Sequence, residues 1–98
     1  MYARVSRWEG LDQEAIRRFA DMINSSEGPP EGVNSSGIMV LSDPAGGRNL
    51  VIGLFDTEED LRAGDAALRA MDRPAEATGE ITATEFYEVT ADRRAEQR

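Results

Sequence analysis

Apolar residues recur along the chain with two different periods, which predicts alternating strands and helices. Residues 2–8 alternate as a strand does, with Ala3 and Val5 on one side. From Asp12, a favourable N-cap residue, apolar positions return at helical spacing to about Ser25. Residues 26–36 are mostly turn formers with a single apolar residue, and they predict a flexible loop.

The second half of the chain continues with the same two periods. Residues 37–42 and 48–56 predict two strands of a hairpin, joined by a turn at 43–47. Thr57 is predicted to cap a second helix, which the Arg73-Pro74 pair ends. Its inner side is predicted to carry Leu61, Gly64, Ala67, Leu68 and Met71. Residues 80–90 alternate again as a fourth strand.

The order strand–helix–strand–strand–helix–strand predicts an α+β, ferredoxin-like βαββαβ fold. One domain is expected over residues 1–90, followed by a charged tail at 91–98. Two helices of this length can cover one face of a four-stranded antiparallel sheet. They cannot cover both faces.

The hairpin strands are apolar on both faces, as in Ile38-Met39-Val40-Leu41 and in residues 50–55. A sheet with one face in water would alternate apolar and polar residues instead. We therefore expect a second copy to cover the face away from the helices, so that the sheets of a homodimer pack face to face into a barrel.

The amino-acid composition excludes several kinds of catalytic and metal site. The 98 residues include 11 basic and 19 acidic ones, for a net charge of −8, and Lys, His and Cys are absent. Disulfides, zinc–thiolate sites, Schiff-base lysines and histidine triads are thereby excluded. We expect no metal and no cofactor.

The net negative charge argues against nucleic-acid binding. The lack of a long apolar run argues against a membrane span, and the N-terminus lacks a signal-peptide apolar region, so a cytoplasmic protein is expected.

Three segments, MYARVSRW, GLFDTEEDLR and EFYEV, resemble the dimeric α/β-barrel superfamily, and most closely its antibiotic-biosynthesis-monooxygenase-like group. The likeness extends over residues 1–90. It implies a dimeric barrel and, among the activities of that broad superfamily, cofactor-independent monooxygenation of quinols or anthrones. Haem-degrading members use an Asn on the first strand, a Trp at the end of the third and a His on the second helix. This chain has Arg4, Ser6 and Phe55 there and no His, which argues against haem degradation.

The candidate pocket follows from the alternation of the first strand. If the small residues Ala3 and Val5 face the helices, then Tyr2, Arg4 and Trp8 face the dimer cavity. Two aromatic rings and a cation suit a planar anionic or phenolic ligand. We expect Glu85 to pair with Arg4 when no ligand is bound. The candidate lining residues are Tyr2, Arg4, Trp8, Met39, Phe55 and Tyr87. The alternative is that these residues only pack and pair within the structure.

Two functions remain open at this level. One is a cofactor-free monooxygenase acting on a small aromatic substrate, whose own carbanion reduces dioxygen. The other is a non-catalytic dimeric module that binds a small molecule or serves a structural role.

Overall fold

The elements follow one another in the predicted order. In a computed structural model, which describes residues 1–71 and 79–93, the chain forms β1 (Tyr2–Glu9), α1 (Gln13–Ser25), β2 (Gly37–Asp43), β3 (Arg48–Phe55), α2 (Glu58–Ala70) and β4 (Glu80–Glu88). The βαββαβ arrangement and its α+β class are confirmed. The predicted stop at Arg73 and Pro74 and residues 94–98 of the predicted tail lie outside the described residues.

The four strands make a single antiparallel sheet in the order β2-β3-β1-β4. The cross-strand pairs Val5–Ile52 and Ile52–Met39 define the register of β1, β3 and β2. On the other side, β1 pairs with β4 through Val5 and Glu85, and the register shifts at a bulge between Arg7 and Trp8. Residues that are paired in an antiparallel sheet point to the same face, so this register assigns each side chain to a face.

Both predicted helix caps are formed. The Asp12 carboxylate accepts a hydrogen bond from the Ala15 backbone N–H at 2.7 Å, and the Thr57 hydroxyl accepts one from Asp60 at 3.0 Å. Each satisfies a donor that the first helical turn would otherwise leave free. The second helix ends at Ala70, so the prediction that Met71 lies on its inner side is wrong: Met71 follows the helix and is 52% exposed.

The core lies between α2 and one face of the sheet. Phe55 is 1% exposed and packs with Leu61 of α2 and with Val33. A Cβ on Gly64 would come within 2.6 Å of the Phe55 ring, so the absence of a side chain there lets α2 approach the sheet. Val33 belongs to the segment predicted as a flexible loop. The segment is a loop, but its one apolar residue anchors it to the core.

Within the described residues, no helix has the length and apolar character needed to cross a membrane.

Candidate functional site

The sheet has two faces with different surroundings. We call the side packed against α2 the helix face and the opposite side the open face. The register places Glu9, Asp43, Arg48 and Glu80 at one end of the open face. The rest of that face carries Ala3, Val5 and Arg7 of β1, Met39 and Leu41 of β2, Leu50, Ile52 and Leu54 of β3, and Ala83, Glu85 and Tyr87 of β4. Most of these side chains are apolar.

Large apolar side chains of the open face lie in solvent. Met39 is 46% exposed, Leu41 is 47% and Tyr87 is 51%. Leu50, Ile52 and Leu54 of the neighbouring central strand are only half-buried. Single exposed apolar residues are ordinary, but a contiguous patch of them is typical of an interaction or ligand-binding surface.

One polar network interrupts this apolar patch. The Arg7 Nε donates to one oxygen of Glu85 at 3.0 Å, and the Tyr87 hydroxyl donates to the other oxygen at 3.0 Å. Glu85 and Tyr87 are two residues apart on β4, so the strand itself brings both side chains to one face. A cation, a carboxylate and a phenol are therefore held together on the open face.

The network shifts the acidity of its members. Hydrogen bonds from Arg7 and then Tyr87 hold the pKa of Glu85 below its usual range. The same bond to the carboxylate raises the pKa of Tyr87. At neutral pH the network therefore consists of an ionised carboxylate that accepts from a neutral phenol. A hydroxyl donor from a ligand could join it, since a carboxylate can accept about four hydrogen bonds.

A cavity of about 310 Å³ adjoins the network at the end of the sheet where β1 and β2 stop and β3 begins. It is lined by Arg7, Trp8, Glu9, Leu41, Ser42, Asp43, Arg48, Asn49 and Leu50. Its volume falls at the lower end of the range of small-molecule sites. Asn49 is 4% exposed, and its Oδ1 has no hydrogen-bond partner among the described residues.

The helix face holds a second charged cluster. The Arg4 Nε donates to Asp65 of α2 at 2.8 Å, and its Nη1 donates to the Ser6 hydroxyl at 2.9 Å. Arg69 donates to both oxygens of the same carboxylate at 2.9 Å. Burial alone would raise the pKa of Asp65, but the hydrogen bonds from Arg4 and Arg69 outweigh it and lower that pKa.

The predicted orientation of the first strand is therefore wrong. Ala3 and Val5 lie on the open face, whereas Arg4 lies under α2 and is 8% exposed. Its predicted partner is also wrong, because Arg4 pairs with Asp65 while Glu85 pairs with Arg7. The close approach of α2 to the sheet is permitted by Gly64 of the helix rather than by a small residue on β1.

The six predicted lining residues fall into three groups. Tyr2, Arg4 and Phe55 lie on the helix face, where Tyr2 of β1 is the cross-strand partner of Phe55 and packs against the core. Met39 and Tyr87 lie on the open face, and Trp8 lines the cavity at the end of the sheet. The structure thus does not bring the six together on one face.

Two residues of the network are absent from the predicted lining: Arg7 was not predicted at all, and Glu85 was predicted only as the partner of Arg4. The sequence could have indicated both residues, because each is a charged residue in a strand whose neighbours on the same face are apolar. Within the ranges 1–71 and 79–93, no group of three or more His, Cys, Asp or Glu side chains is arranged to hold a metal ion.

Comparison with protein families, with curated proteins and with solved structures found no match for this chain.

Proposed function

We propose that the protein acts as a homodimer whose open faces pack against each other around a small aromatic molecule, and that it is a cofactor-independent monooxygenase of quinol- or anthrone-type substrates. The observation that carries the proposal is the open face itself. It is an apolar patch interrupted by one network of arginine, carboxylate and phenol, next to a cavity of about 310 Å³.

Dimerisation is supported by the exposure of side chains that a solvated sheet would not carry. Met39, Leu41 and Tyr87 are each about half exposed. Burial of apolar area stabilises by about 25 cal/mol per Å². A second copy covers the patch by symmetry, because the same surface serves both subunits of a two-fold dimer.

The proposed chemistry uses the reactivity of the substrate. Glu85, already ionised, accepts a proton from the substrate, while Tyr87 and Arg7 orient it. The resulting substrate anion reduces dioxygen, and the peroxide that forms on carbon loses water to leave a carbonyl group. Glu85 returns its proton to this peroxide, so that the methylene of anthrone and one O₂ become a carbonyl and one H₂O, with all electrons supplied by the substrate.

A non-catalytic binding module is the second candidate, and one observation favours it. The Glu85 carboxylate is held by two donors that lower its pKa, which makes it a weaker base. In that case the network serves to bind and orient a small molecule.

Oxygen consumption by metal- and flavin-free protein with anthrone or hydroquinone tests the activity. We expect turnover that Glu85→Gln lowers by about 10²-fold or more. Glu88→Gln, an exposed carboxylate of the same strand on the opposite face, is the matched control and should leave the rate unchanged. Saturable binding of the aromatic compound without oxygen uptake would support the non-catalytic module instead.

Sedimentation equilibrium at micromolar concentration tests the dimer. Met39→Glu places a charge on the open face and should produce monomers. Met22→Glu is the matched control, because Met22 is 55% exposed on α1 and should leave the dimer intact. A wild-type protein that remains monomeric at these concentrations would contradict the proposal.

A further inference from the structure

We propose that Arg7 pairs with Glu85 of a second copy, so that a reciprocal ring of four charges sets the alignment of the two sheets. This inference rests on the proposed dimer and adds to it the residues that decide how the copies meet. It assigns to these two side chains a recognition role that is separate from any role toward a ligand.

The first argument is the position of the pair. Arg7 lies on the central strand β1, and Glu85 lies on the neighbouring edge strand β4, opposite Val5. The other charged residues that the structure describes on this face lie at one end of it, at Glu9, Asp43, Arg48 and Glu80. Their cross-strand partners are apolar in the case of the central pair: Leu50 and Ala83 for Arg7, and Val5 for Glu85.

The second argument is unused hydrogen-bonding capacity. Arg7 employs only its Nε in the pair, and its side chain is 53% exposed. Burying the rest of the guanidinium against apolar side chains would cost free energy unless an acceptor reached it. Glu85 has accepted one hydrogen bond on each oxygen, and a carboxylate can accept about four.

The third argument is charge. The whole chain carries −8, yet Arg7 and Glu85 cancel each other on this face, as Asp43 and Arg48 do at its end. A face that carried the average acidity of the chain would repel its own copy. In a two-fold interface a contact from Arg7 to the partner's Glu85 is repeated by symmetry, so both charges are satisfied at once.

Charge exchange tests the inference through the dissociation constant of the dimer. Arg7→Glu and Glu85→Arg should each weaken self-association at least about tenfold, because each variant places charges of one sign at positions 7 and 85 of both subunits, around the two-fold axis of the dimer. An equimolar mixture of the two variants should associate with an affinity within about threefold of wild type, since opposite charges then face each other across the interface. Arg62→Glu and Glu58→Arg make the same charge changes in an exposed pair on α2 and serve as matched controls.

Rescue in the mixture, without an equal effect in the control pair, supports the inference. Absence of rescue while the wild-type protein is dimeric overturns it and leaves the proposed dimer standing. A monomeric wild-type protein overturns both. If a charge-reversal variant does not fold, Arg7→Gln, Glu85→Gln and the double variant replace the set. Additive effects on the dissociation constant would then contradict a contact across the interface.

Discussion

The two faces of the sheet each carry one arginine–carboxylate pair from β1, and the pairs differ in their surroundings. Arg4 and Asp65 on the helix face have side chains only 10% and 18% exposed. Arg7 and Glu85 on the open face are 53% and 39% exposed. An arginine–carboxylate ion pair therefore attaches α2 to the sheet on the helix face, whereas the corresponding pair on the open face is accessible to solvent.

This contrast separates structural residues from candidate functional ones. On the helix face, Arg4 donates to both Ser6 and Asp65, so its bonding is directed inward. On the open face, Arg7 keeps part of its guanidinium in solvent beside apolar side chains. A polar group that is accessible within an apolar surface is better placed to meet a ligand or a partner than one buried beneath a helix.

Truncating one aromatic residue of the core should have the largest effect on stability. Phe55→Ala removes the ring between α2 and the sheet, and we expect it to lower the free energy of unfolding by about 3–5 kcal/mol. Leu54→Ala, its neighbour on the open face, should lower it by about 1–2 kcal/mol when both variants are unfolded in urea at a protein concentration low enough for the monomer. Equal losses in the monomer would mean that its two faces are covered to the same extent.

Removing the carboxylate that holds α2 should have the next largest effect. Asp65→Asn leaves Arg4 with a neutral partner and should lower the free energy of unfolding by about 2–3 kcal/mol at neutral pH. Because folding lowers the pKa of Asp65, its contribution is complete above the unfolded pKa of about 3.9 and is lost as pH falls through the lower folded value.

The pH dependence of unfolding checks this sign. The wild-type protein should lose more stability on acidification than Asp65→Asn does. Asp21→Asn, on the exposed side of α1, is the matched control and should keep the wild-type profile. Parallel acid profiles for wild type and Asp65→Asn would contradict the role given to this carboxylate.

A methyl group at the helix–sheet contact should have an intermediate effect. The Cβ of Gly64→Ala would lie 2.6 Å from the Phe55 ring, so α2 must shift, at a cost of about 1–2 kcal/mol. Gly28→Ala has nothing within 4 Å of its Cβ and should leave the midpoint of thermal unfolding unchanged. An unchanged midpoint for Gly64→Ala would show that the helix does not pack this closely.

Removing the phenol of the open-face network should have the smallest effect on stability. Tyr87→Phe should change the free energy of unfolding by no more than about 0.5 kcal/mol, because the side chain is half exposed. It should raise the pKa of Glu85, since the Tyr87 hydrogen bond helps to lower it. Carboxyl titration by NMR measures the shift, and Tyr2→Phe on the helix face should not produce it.

Local signals in the sequence were sufficient for the order of the elements. The caps at Asp12 and Thr57 and the alternation of β1 and β4 predict element types without knowledge of their neighbours. The apolar residues on both faces of β2 and β3 are also evident from the sequence. These features depend on residues close together along the chain, where propensity and period act directly.

The assignment of the faces was decided only by tertiary structure. Alternation in β1 divides its residues into two sets, but it does not say which set meets a helix. That choice depends on contacts between distant residues: Gly64 admits the Phe55 ring, and Asp65 supplies the partner for a buried Arg4. With that orientation set, the strand period places Arg7 on the opposite side. It meets Glu85 there because β4 pairs beside β1, 78 residues further along the chain. Sequence alone therefore determined the elements and the apolar character of the hairpin strands on both faces. Long-range packing and charge pairing determined which residues the open face presents.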